Sequence, residues 1–322
     1  MLRLGLLSTA RINGAILGGA AESALVEVVA VASRDAVRAR EYAREHLIPR
    51  AHGSYDDLLA DQGVDAVYVS LPNRLHHEWT QRALAAGKHV LCEKPYSRRP
   101  AEVEEAFDAA ERSGLVLMEA FMYRHHPQMR RVVELVSGGA VGRLRAIRAV
   151  FTFRLDDASN VRMQTKLDGG ALMDVGCYCV SGARLLAGEP VRVQAEQVAG
   201  ETGVDVAFHG LLRFAEDVVA EFHASFLAPR AQELEAIGDE GSLVVEAPWR
   251  ADWGGDLLLR RNDDVERVEI EPADPYLLEL DNFAAAVEGR AEPLLGREDA
   301  LGQARAIDAL YRAAAEGRAV EL

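Results

Sequence analysis

The sequence predicts an α/β protein in two parts: a doubly wound parallel sheet, then an α+β domain whose sheet is mostly antiparallel. Three observations carry this reading. Up to about residue 121, apolar β-rich runs alternate with helical stretches. Those runs are apolar on both faces, as strands of a parallel sheet covered by helices must be. After about residue 125 the strands crowd together, and several alternate with period two, the pattern of half-exposed antiparallel strands.

In order, the first strands are LRLGLLS (2–8), VEVVAVAS (26–33), DAVYVSL (65–71), HVLCE (89–93) and LVLMEAF (115–121). One helix opens at Asp35, a good N-cap. HHEWTQRALAAG closes on Gly87, and PAEVEEAFDAAERSG starts on Pro100 and closes on Gly114, the proline-first, glycine-last habit of helices. In the second part strands are expected at 144–153, 191–198, 204–214, 218–226, 242–247 and 256–261, with GDEG (238–241) as a hairpin turn. Helices over 276–289 and 298–317 close the chain. Segments around 154–168 and 228–256 read as loops.

The 322 residues suffice for one large domain or two ordinary ones. The net charge of −15 argues against nucleic acid or an anionic membrane as the main partner. It leaves room for a small anionic ligand in a locally basic pocket. The apolar run in MLRLGLLSTARI is too short for a secretory leader, and no stretch reaches the roughly 18 apolar residues of a membrane helix. Cys92, Cys177 and Cys179 make no disulfide framework, so a cytoplasmic location is expected. Cys177 and Cys179 lack a second Cys or His pair at zinc spacing, and no metal is expected.

An early strand that turns straight into a helix is where a dinucleotide fold places its phosphate loop. Here the G-x-G-x-x-G/A fingerprint is replaced by Ser8, Thr9, Ala10, Arg11, Ile12 and Asn13. Ser8 and Ala10 stand where glycines belong, and Asn13 replaces the third small residue. The helix N-terminus still offers N–H groups and a positive dipole end to a pyrophosphate, and Ser8 and Thr9 add hydroxyls. An ordinary tight turn reads equally well from this stretch alone. The second strand ends in Ser33 and Arg34 rather than the acid that holds a ribose 2′-hydroxyl in NAD-binding folds. Ser plus Arg suits a 2′-phosphate, so NADP is expected over NAD, with Asp35 read as a helix cap rather than a displaced ribose acid.

Strand ends of a parallel sheet point into the ligand crevice. VLCEKP (90–95) leaves Glu93 and Lys94 there, followed by Pro95, whose peptide bond is a candidate for the cis form. A lysine at such a place can orient a substrate hydroxyl and stabilise a developing alkoxide. A solvated Glu–Lys loop pair is the plainer alternative. In LDGGALMDVGCYCV (167–180) two glycines open a helix with Asp174 and Tyr178 four apart, on one face. Hydride transfer between an alcohol and nicotinamide needs a group that moves the hydroxyl proton. A tyrosine is a poor base at neutral pH unless a cation lowers its pKa. Lys94 with Tyr178 makes chemical sense in this way, with Asp174 orienting the lysine or a substrate hydroxyl. The plainer reading of Tyr178 is a packed core tyrosine with a satisfied hydroxyl.

EKP at 93–95, SLPNRLHHEW at 70–79, MEAFMYRHHPQ at 118–128, GGALMDVGCY at 169–178 and the closing GREDALGQARAIDALYRAAAEG carry a resemblance to the glucose-fructose oxidoreductase / inositol dehydrogenase / rhizopine catabolism (Gfo/Idh/MocA) family. The resemblance spans essentially the whole chain, with its motifs in order. It implies an N-terminal Rossmann domain, residues 1–121, and a C-terminal α+β domain with a large, mostly antiparallel open sheet, residues 122–322. It implies that Lys94 is the catalytic lysine, and that Asp174 and Tyr178 match the D-x-x-x-H/Y motif. Cofactor contacts are implied at Ser8, Thr9, Ala10, Arg11, Ile12, Ser33, Arg34, Leu71, Asn73, His76, Glu93 and Lys94. Arg124 and Arg162 are further candidates for the cofactor or substrate rim. The departure is the first turn, which lacks the family's usual glycines.

Tyrosine at 178 resembles the branch containing NADP-dependent D-xylose dehydrogenases, dimeric dihydrodiol dehydrogenases and glucose-fructose oxidoreductase. The activity so implied is NADP-dependent hydride transfer to or from a carbohydrate or cyclic polyol, most narrowly as an aldose 1-dehydrogenase. The alternatives are a trans-dihydrodiol dehydrogenase and a nucleotide-deoxysugar ketoreductase. A non-catalytic NADP-binding regulator is the reading from another class, but it would have lost Lys94, Asp174 and Tyr178. A homodimer or homotetramer through the C-terminal sheet is expected, because a broad sheet face leaves apolar area to cover, and the aromatics of VFTF and FHASF read as sheet or interface packing. His125 and His126 read as caps or rim residues, and His209 and His223 as solvent-facing.

Overall fold

A computed structural model describes residues 1–322, the side chain of Asp252 excepted. Strand and helix alternate first: β1 (Leu2–Leu6), α1 (Asn13–Glu22), β2 (Val26–Ala32), α2 (Ala36–Glu45), β3 (Arg50–His52), α3 (Tyr55–Leu59), β4 (Ala66–Val69), α4 (His76–Ala85), β5 (His89–Glu93), α5 (Pro100–Ser113) and β6 (Leu117–Ala120). The six strands form one parallel sheet in the order β3-β2-β1-β4-β5-β6. The order reverses between β1 and β4, which opens a crevice beyond the carboxyl ends of those strands. Leu4, Leu6, Val67, Tyr68, Val90 and Leu91 are fully buried, so these runs read apolar on both faces. β3 and α3 were not legible, since three and five residues are too few to show a period.

There follow α6 (Pro127–Ser137), β7 (Leu144–Thr152), a π turn (Leu172–Gly176) running into α7 (Cys177–Ala187), β8 (Arg192–Ala199), β9 (Asp205–Arg213), β10 (Val219–Ser225), β11 (Ala231–Gly238), β12 (Ser242–Val245), β13 (Leu257–Arg261) and β14 (Asp264–Arg267). The chain closes with α8 (Pro275–Val287), α9 (Arg297–Glu316) and β15 (Val320–Glu321). Nine strands form the second sheet in the order β14-β13-β12-β11-β7-β10-β9-β8-β15. Every pair is antiparallel except β7 with β10. Ile147, Ala149, Phe151, Phe208, Phe222 and Ala224 lie on a buried face, against which α7 packs. Arg148, His209, Leu211 and Glu221 alternate with them on the exposed face.

One expectation changes here. β11 lies inside the segment read as a loop at 228–256: only Leu234 and Ala236 are fully buried among its Gln and Glu residues, and such a composition hides a strand. The aromatics Phe151, Phe222 and Phe226 are buried, which is the sheet-packing half of their reading. The GDEG hairpin is as read: the Gly238 N–H donates to Gly241 O at 2.8 Å, where β11 turns into β12.

The chain divides into two compact units, Met1–His125 with Asp274–Leu301 and His126–Ala273 with Gly302–Leu322. A single cut after residue 121 takes no account of this return. Asp274 caps α8, accepting from the N–H of Tyr276 at 2.8 Å. The helix then lies on α1 at Gly19, where an added Cβ would stand 2.7 Å from Leu277 N and 2.9 Å from the Tyr276 carbonyl carbon. Ser23, just past α1, donates to Asp281 at 2.5 Å. A glycine inside α1 looks like any small residue in the sequence; its reason is a helix that arrives much later in the chain.

Ordinarily Gly→Ala inside a helix gains about 0.5–1 kcal/mol. At Gly19 the new methyl would press on backbone, which cannot yield without parting α1 from α8. We expect Gly19→Ala to lower stability by about 1–3 kcal/mol, the usual range for overpacking. Gly18→Ala, with open space around its Cβ, should raise stability by about 0.5–1 kcal/mol. Paired thermal melts of the two variants check the contrast.

Candidate active site

The candidate residues form two groups, one on each unit. On the first unit, the turn after β1 is stapled to the end of β4 by a buried network. Asn13 Nδ2 donates to Ser8 O at 2.8 Å, and Ser70 Oγ donates to Asn13 Oδ1 at 2.7 Å. Ser8 Oγ lies 2.7 Å from Ser70 Oγ and donates to Ser70 O at 3.0 Å. Asn13 therefore does by hydrogen bonding what the missing small residue does by shape. The Ser8 hydroxyl, offered to an anion in the sequence reading, is engaged in this network and also accepts the Ala10 N–H. What remains for an anion is the backbone: α1 has no side-chain cap and no acid in its first turn.

At the end of β2, Asp35 accepts from the N–H groups of Val37 and Arg38 at 2.8 and 3.2 Å, which makes it the cap of α2. Its own N–H donates to Ser33 Oγ at 3.2 Å. Arg34 and Arg38 place two positive charges near the Tyr55 hydroxyl; burial raises the Tyr55 pKa and both arginines pull it back. Neither guanidinium has an ion-pair partner among the described residues. Sequence reasoning missed Arg38, although its spacing of four from Arg34 was a usable signal.

Beyond β4, Leu71 is buried and Asn73 half-buried. His76 is fully buried, with Nε2 2.8 Å from Leu71 O and Nδ1 3.0 Å from Pro95 O. Burial lowers its pKa, while the two carbonyls act in the opposite sense. His76 was expected to line the cofactor; enclosed in this way, it is a strut joining the segments after β4 and β5. The Lys94–Pro95 bond is cis. Glu93 is no free loop charge: the Tyr68 hydroxyl donates to one carboxylate oxygen and the Lys94 N–H to the other at 3.2 Å. Burial, then Glu93, raises the Tyr68 pKa well above the usual tyrosine value, so Tyr68 stays a donor.

Behind Glu93 stands Glu279 of α8, 1% exposed, with one carboxyl oxygen lacking any hydrogen-bond partner. Burial and Glu93 hold its pKa well above the carboxylate range, so it is neutral. In the sequence this glutamate looks like a solvated helix residue. Arg124 was read as a rim candidate; it is largely buried and its guanidinium sits 3.2 Å from Asp299, tying the first turn of α9. His125 is buried, and burial with the neighbouring Arg124 pushes its pKa down to about 3. His126 settles as a cap, accepting the Gln128 N–H at 3.1 Å.

On the second unit, Asp174 lies in the π turn and Tyr178 in the first turn of α7. Arg162 reaches Asp174, its Nε donating to Oδ2 at 2.7 Å. The sequence offered Arg162 as a separate candidate, and only the folded loop joins the two. The paired glycines are what admit the loop. A Cβ on Gly169 would stand 2.3 Å from Arg162 O, and one on Gly170 would stand 2.1 Å from an Asp205 carboxylate oxygen, at a φ of 127°. Tyr178 is 7% exposed, its ring edge-on to Phe151 at 5.4 Å and tilted against Trp249 at 6.0 Å. The body of the ring is thus core, as the plainer reading held.

A hollow of about 570 Å³ on the exposed face of the nine-stranded sheet, lined in part by Arg148, Glu196, His209, Leu211 and His223, holds none of these candidates. His209 and His223 face one another across β9 and β10, ring centroids 4.3 Å apart. His209 is exposed as read, whereas His223 is half-buried.

Residues 11–121 match the model of an oxidoreductase family with an NAD-binding Rossmann fold, and residues 129–244 match the GFO/IDH/MocA C-terminal domain. The chain is 40% identical to D-xylose 1-dehydrogenase (NADP(+)) 2 of Haloferax volcanii, over 100% of both chains. It is 37% identical to trans-1,2-dihydrobenzene-1,2-diol dehydrogenase of Danio rerio, over 69% of this chain and 66% of that one. It superposes on the crystal structure of KijD10, a 3-ketoreductase from Actinomadura kijaniata in complex with NADP and TDP-benzene, with a TM-score of 0.91, 33% identity and 97% of each chain covered.

The neutral Glu279 has a consequence for stability. Its folded pKa is raised, so the folded chain keeps a proton that the unfolded chain releases near the ordinary value of 4.5. Its contribution is full below that value and declines as pH rises through the raised one. Glu279→Gln should remove the decline. Melting temperatures of wild type and variant should lie closest at the acid end of a series from roughly pH 5 to 9, and diverge in the variant's favour towards the alkaline end.

Proposed function

The chain belongs to the Gfo/Idh/MocA oxidoreductase family, and from that premise we propose that it is an NADP-dependent dehydrogenase of the D-xylose 1-dehydrogenase kind, moving a hydride between nicotinamide and a sugar carbon. One observation carries the proposal: full-length likeness to an NADP(+)-dependent D-xylose 1-dehydrogenase falls on a chain that keeps Lys94, Asp174 and Tyr178. The residues at the crevice of the first unit fit a dinucleotide with a 2′-phosphate. The N-terminus of α1 is uncapped, Arg34 and Arg38 carry no carboxylate partner, and Asp35 is occupied as a cap. The backbone from Ser8 to Ile12 would hold the pyrophosphate, Ser33, Arg34 and Arg38 the 2′-phosphate, and Leu71, Asn73 and Glu93 the nicotinamide end. Bound there, the cofactor supplies the hydride acceptor.

The chain's own residues then handle the proton and the charge. Tyr178 takes the substrate hydroxyl proton. Lys94 supplies the positive charge that makes tyrosine a competent base and polarises the reacting oxygen. Asp174, held by Arg162, keeps the geometry. Reduction of a keto group on a nucleotide-linked sugar is the second reading, favoured by the likeness to the Actinomadura ketoreductase. A non-catalytic regulator has no need of the retained lysine, aspartate and tyrosine. No helix among the described residues is long and apolar enough to cross a membrane. We assign the protein to the cytoplasm, as a homodimer or homotetramer joined through the exposed sheet face, where Leu211 is 43% and Val198 50% exposed.

Fluorescence titration with NADPH and NADH, followed by an absorbance assay of aldoses with NADP, tests the reading. Tight NADPH binding and turnover of a pentose or hexose are expected; preference for NADH, or turnover only of a diol or keto sugar, would replace it. Lys94→Met should lower kcat by about 10²–10⁴-fold, the usual weight of a proton-transfer group, with NADPH affinity unchanged. Retained turnover in that variant would sink the mechanism. Arg34→Ala should weaken NADPH by about 10–100-fold, as expected for a charged hydrogen bond, and leave NADH nearly unaffected.

A further inference from the structure

We propose that Asp205, the first residue of β9, is a positioning residue for Asp174 and Tyr178, acting through the π turn that carries the one and leads to the other. The inference rests on the dehydrogenase reading only for what those two side chains do. Asp205 Oδ2 accepts the N–H of Leu172, the residue that opens the turn, at 2.7 Å. Oδ1 accepts the Tyr311 hydroxyl of α9 at 3.0 Å. Gly170 leaves the space: a Cβ there would stand 2.1 Å from Oδ1. One carboxylate thus binds the start of the turn to the sheet and to α9.

The turn needs an outside hold. Its Cys177 N–H bonds back to Leu172 O, five residues away, a wider pattern than an α-helix makes and one seen mostly as single bulges. Its leading N–H groups have no partner within the turn, and negative charge suits that end. Stability alone does not call for a carboxylate here. Asp205 is 5% exposed, and burial raises its pKa to about 6. A neutral amide would satisfy the Leu172 N–H with less desolvation. What the carboxylate adds is acceptance from two donors at once, on two elements, and that sets where the turn sits.

Three variants decide the matter: Asp205→Ala, Asp205→Asn and Tyr311→Phe. Each is assayed for NADPH affinity, for kcat and KM, and for amide hydrogen exchange over residues 172–176. Asp205→Ala should lower kcat by about 10–100-fold, the scale of a misplaced catalytic group, with a smaller change in KM and unchanged NADPH affinity. Exchange over 172–176 should quicken. Asp205→Asn, which keeps one acceptor, should recover only part of both losses, and Tyr311→Phe, which keeps the Leu172 bond, should likewise fall between Asp205→Ala and wild type. A folded Asp205→Ala with wild-type kcat, or with unchanged exchange over those residues, overturns the proposal. If Asp205→Ala does not fold, wild-type kcat and exchange in Tyr311→Phe overturn it instead. If the wild type turns over no substrate, the dehydrogenase reading fails, and the exchange arm alone still decides whether Asp205 holds the turn.

Discussion

Backbone groups at the ends of strands and helices have no partner inside their own element, and burying them unpaired is costly. In this protein, buried side chains answer that constraint wherever candidate chemistry is found. Asn13 and Ser70 hold the turn after β1 against the end of β4. His76 lies between the Leu71 and Pro95 carbonyls. Glu93 receives the Lys94 N–H. Asp205 receives the Leu172 N–H. Each tie holds a loop that carries a candidate residue, and each uses a polar group that would be expensive to enclose without a partner.

The same ties govern charge. The chain is acidic overall at −15, yet burial works against the charge of two of its enclosed carboxyls, Glu279 and Asp205. Burial pushes Glu279 well above the carboxylate range and raises Asp205 to about 6. Glu93, a neighbour of Glu279, accepts from the Tyr68 hydroxyl and the Lys94 N–H instead. At the end of β2 the balance is reversed: Asp35 faces its own helix, and Arg34 and Arg38 have no acid partner among the described residues. A protein with excess negative charge thereby keeps a local place for an anion.

Packing reaches the second group by a different route. β7 and β10 alternate, so one face carries Phe151 and Phe222 against α7 and the other carries Arg148 and His223. Tyr178 enters from α7 among Phe151 and Trp249, and the Trp249 indole N–H donates to Val150 O at 3.0 Å. The ring that would do chemistry is therefore also a core side chain, and its orientation is set by aromatic neighbours on β7 and after β12. Gly169 and Gly170 complete the arrangement by letting backbone pass where a methyl group could not.

Much of this was legible beforehand, because periodicity, caps and turns are local. Apolar runs announced the parallel strands, Asp35 announced a cap, Pro100 and Gly114 announced the ends of α5, and GDEG announced a hairpin. Lys94, Asp174 and Tyr178 were offered by position and spacing, and the family resemblance raised them above the plainer readings. β11 was hidden by its glutamates, and β3 by its brevity. Other facts were not local at all: Arg162 meeting Asp174, Arg124 turning to Asp299, Glu279 buried behind Glu93, and α8 returning to Gly19. By itself the sequence determined most of the element types, the precedence of a parallel sheet over a mostly antiparallel one, and a set of residues whose chemistry could serve a site. Only the tertiary structure decided which of those residues are engaged with one another, because a side chain's partner depends on distances closed by folding, and no spacing along the chain records them.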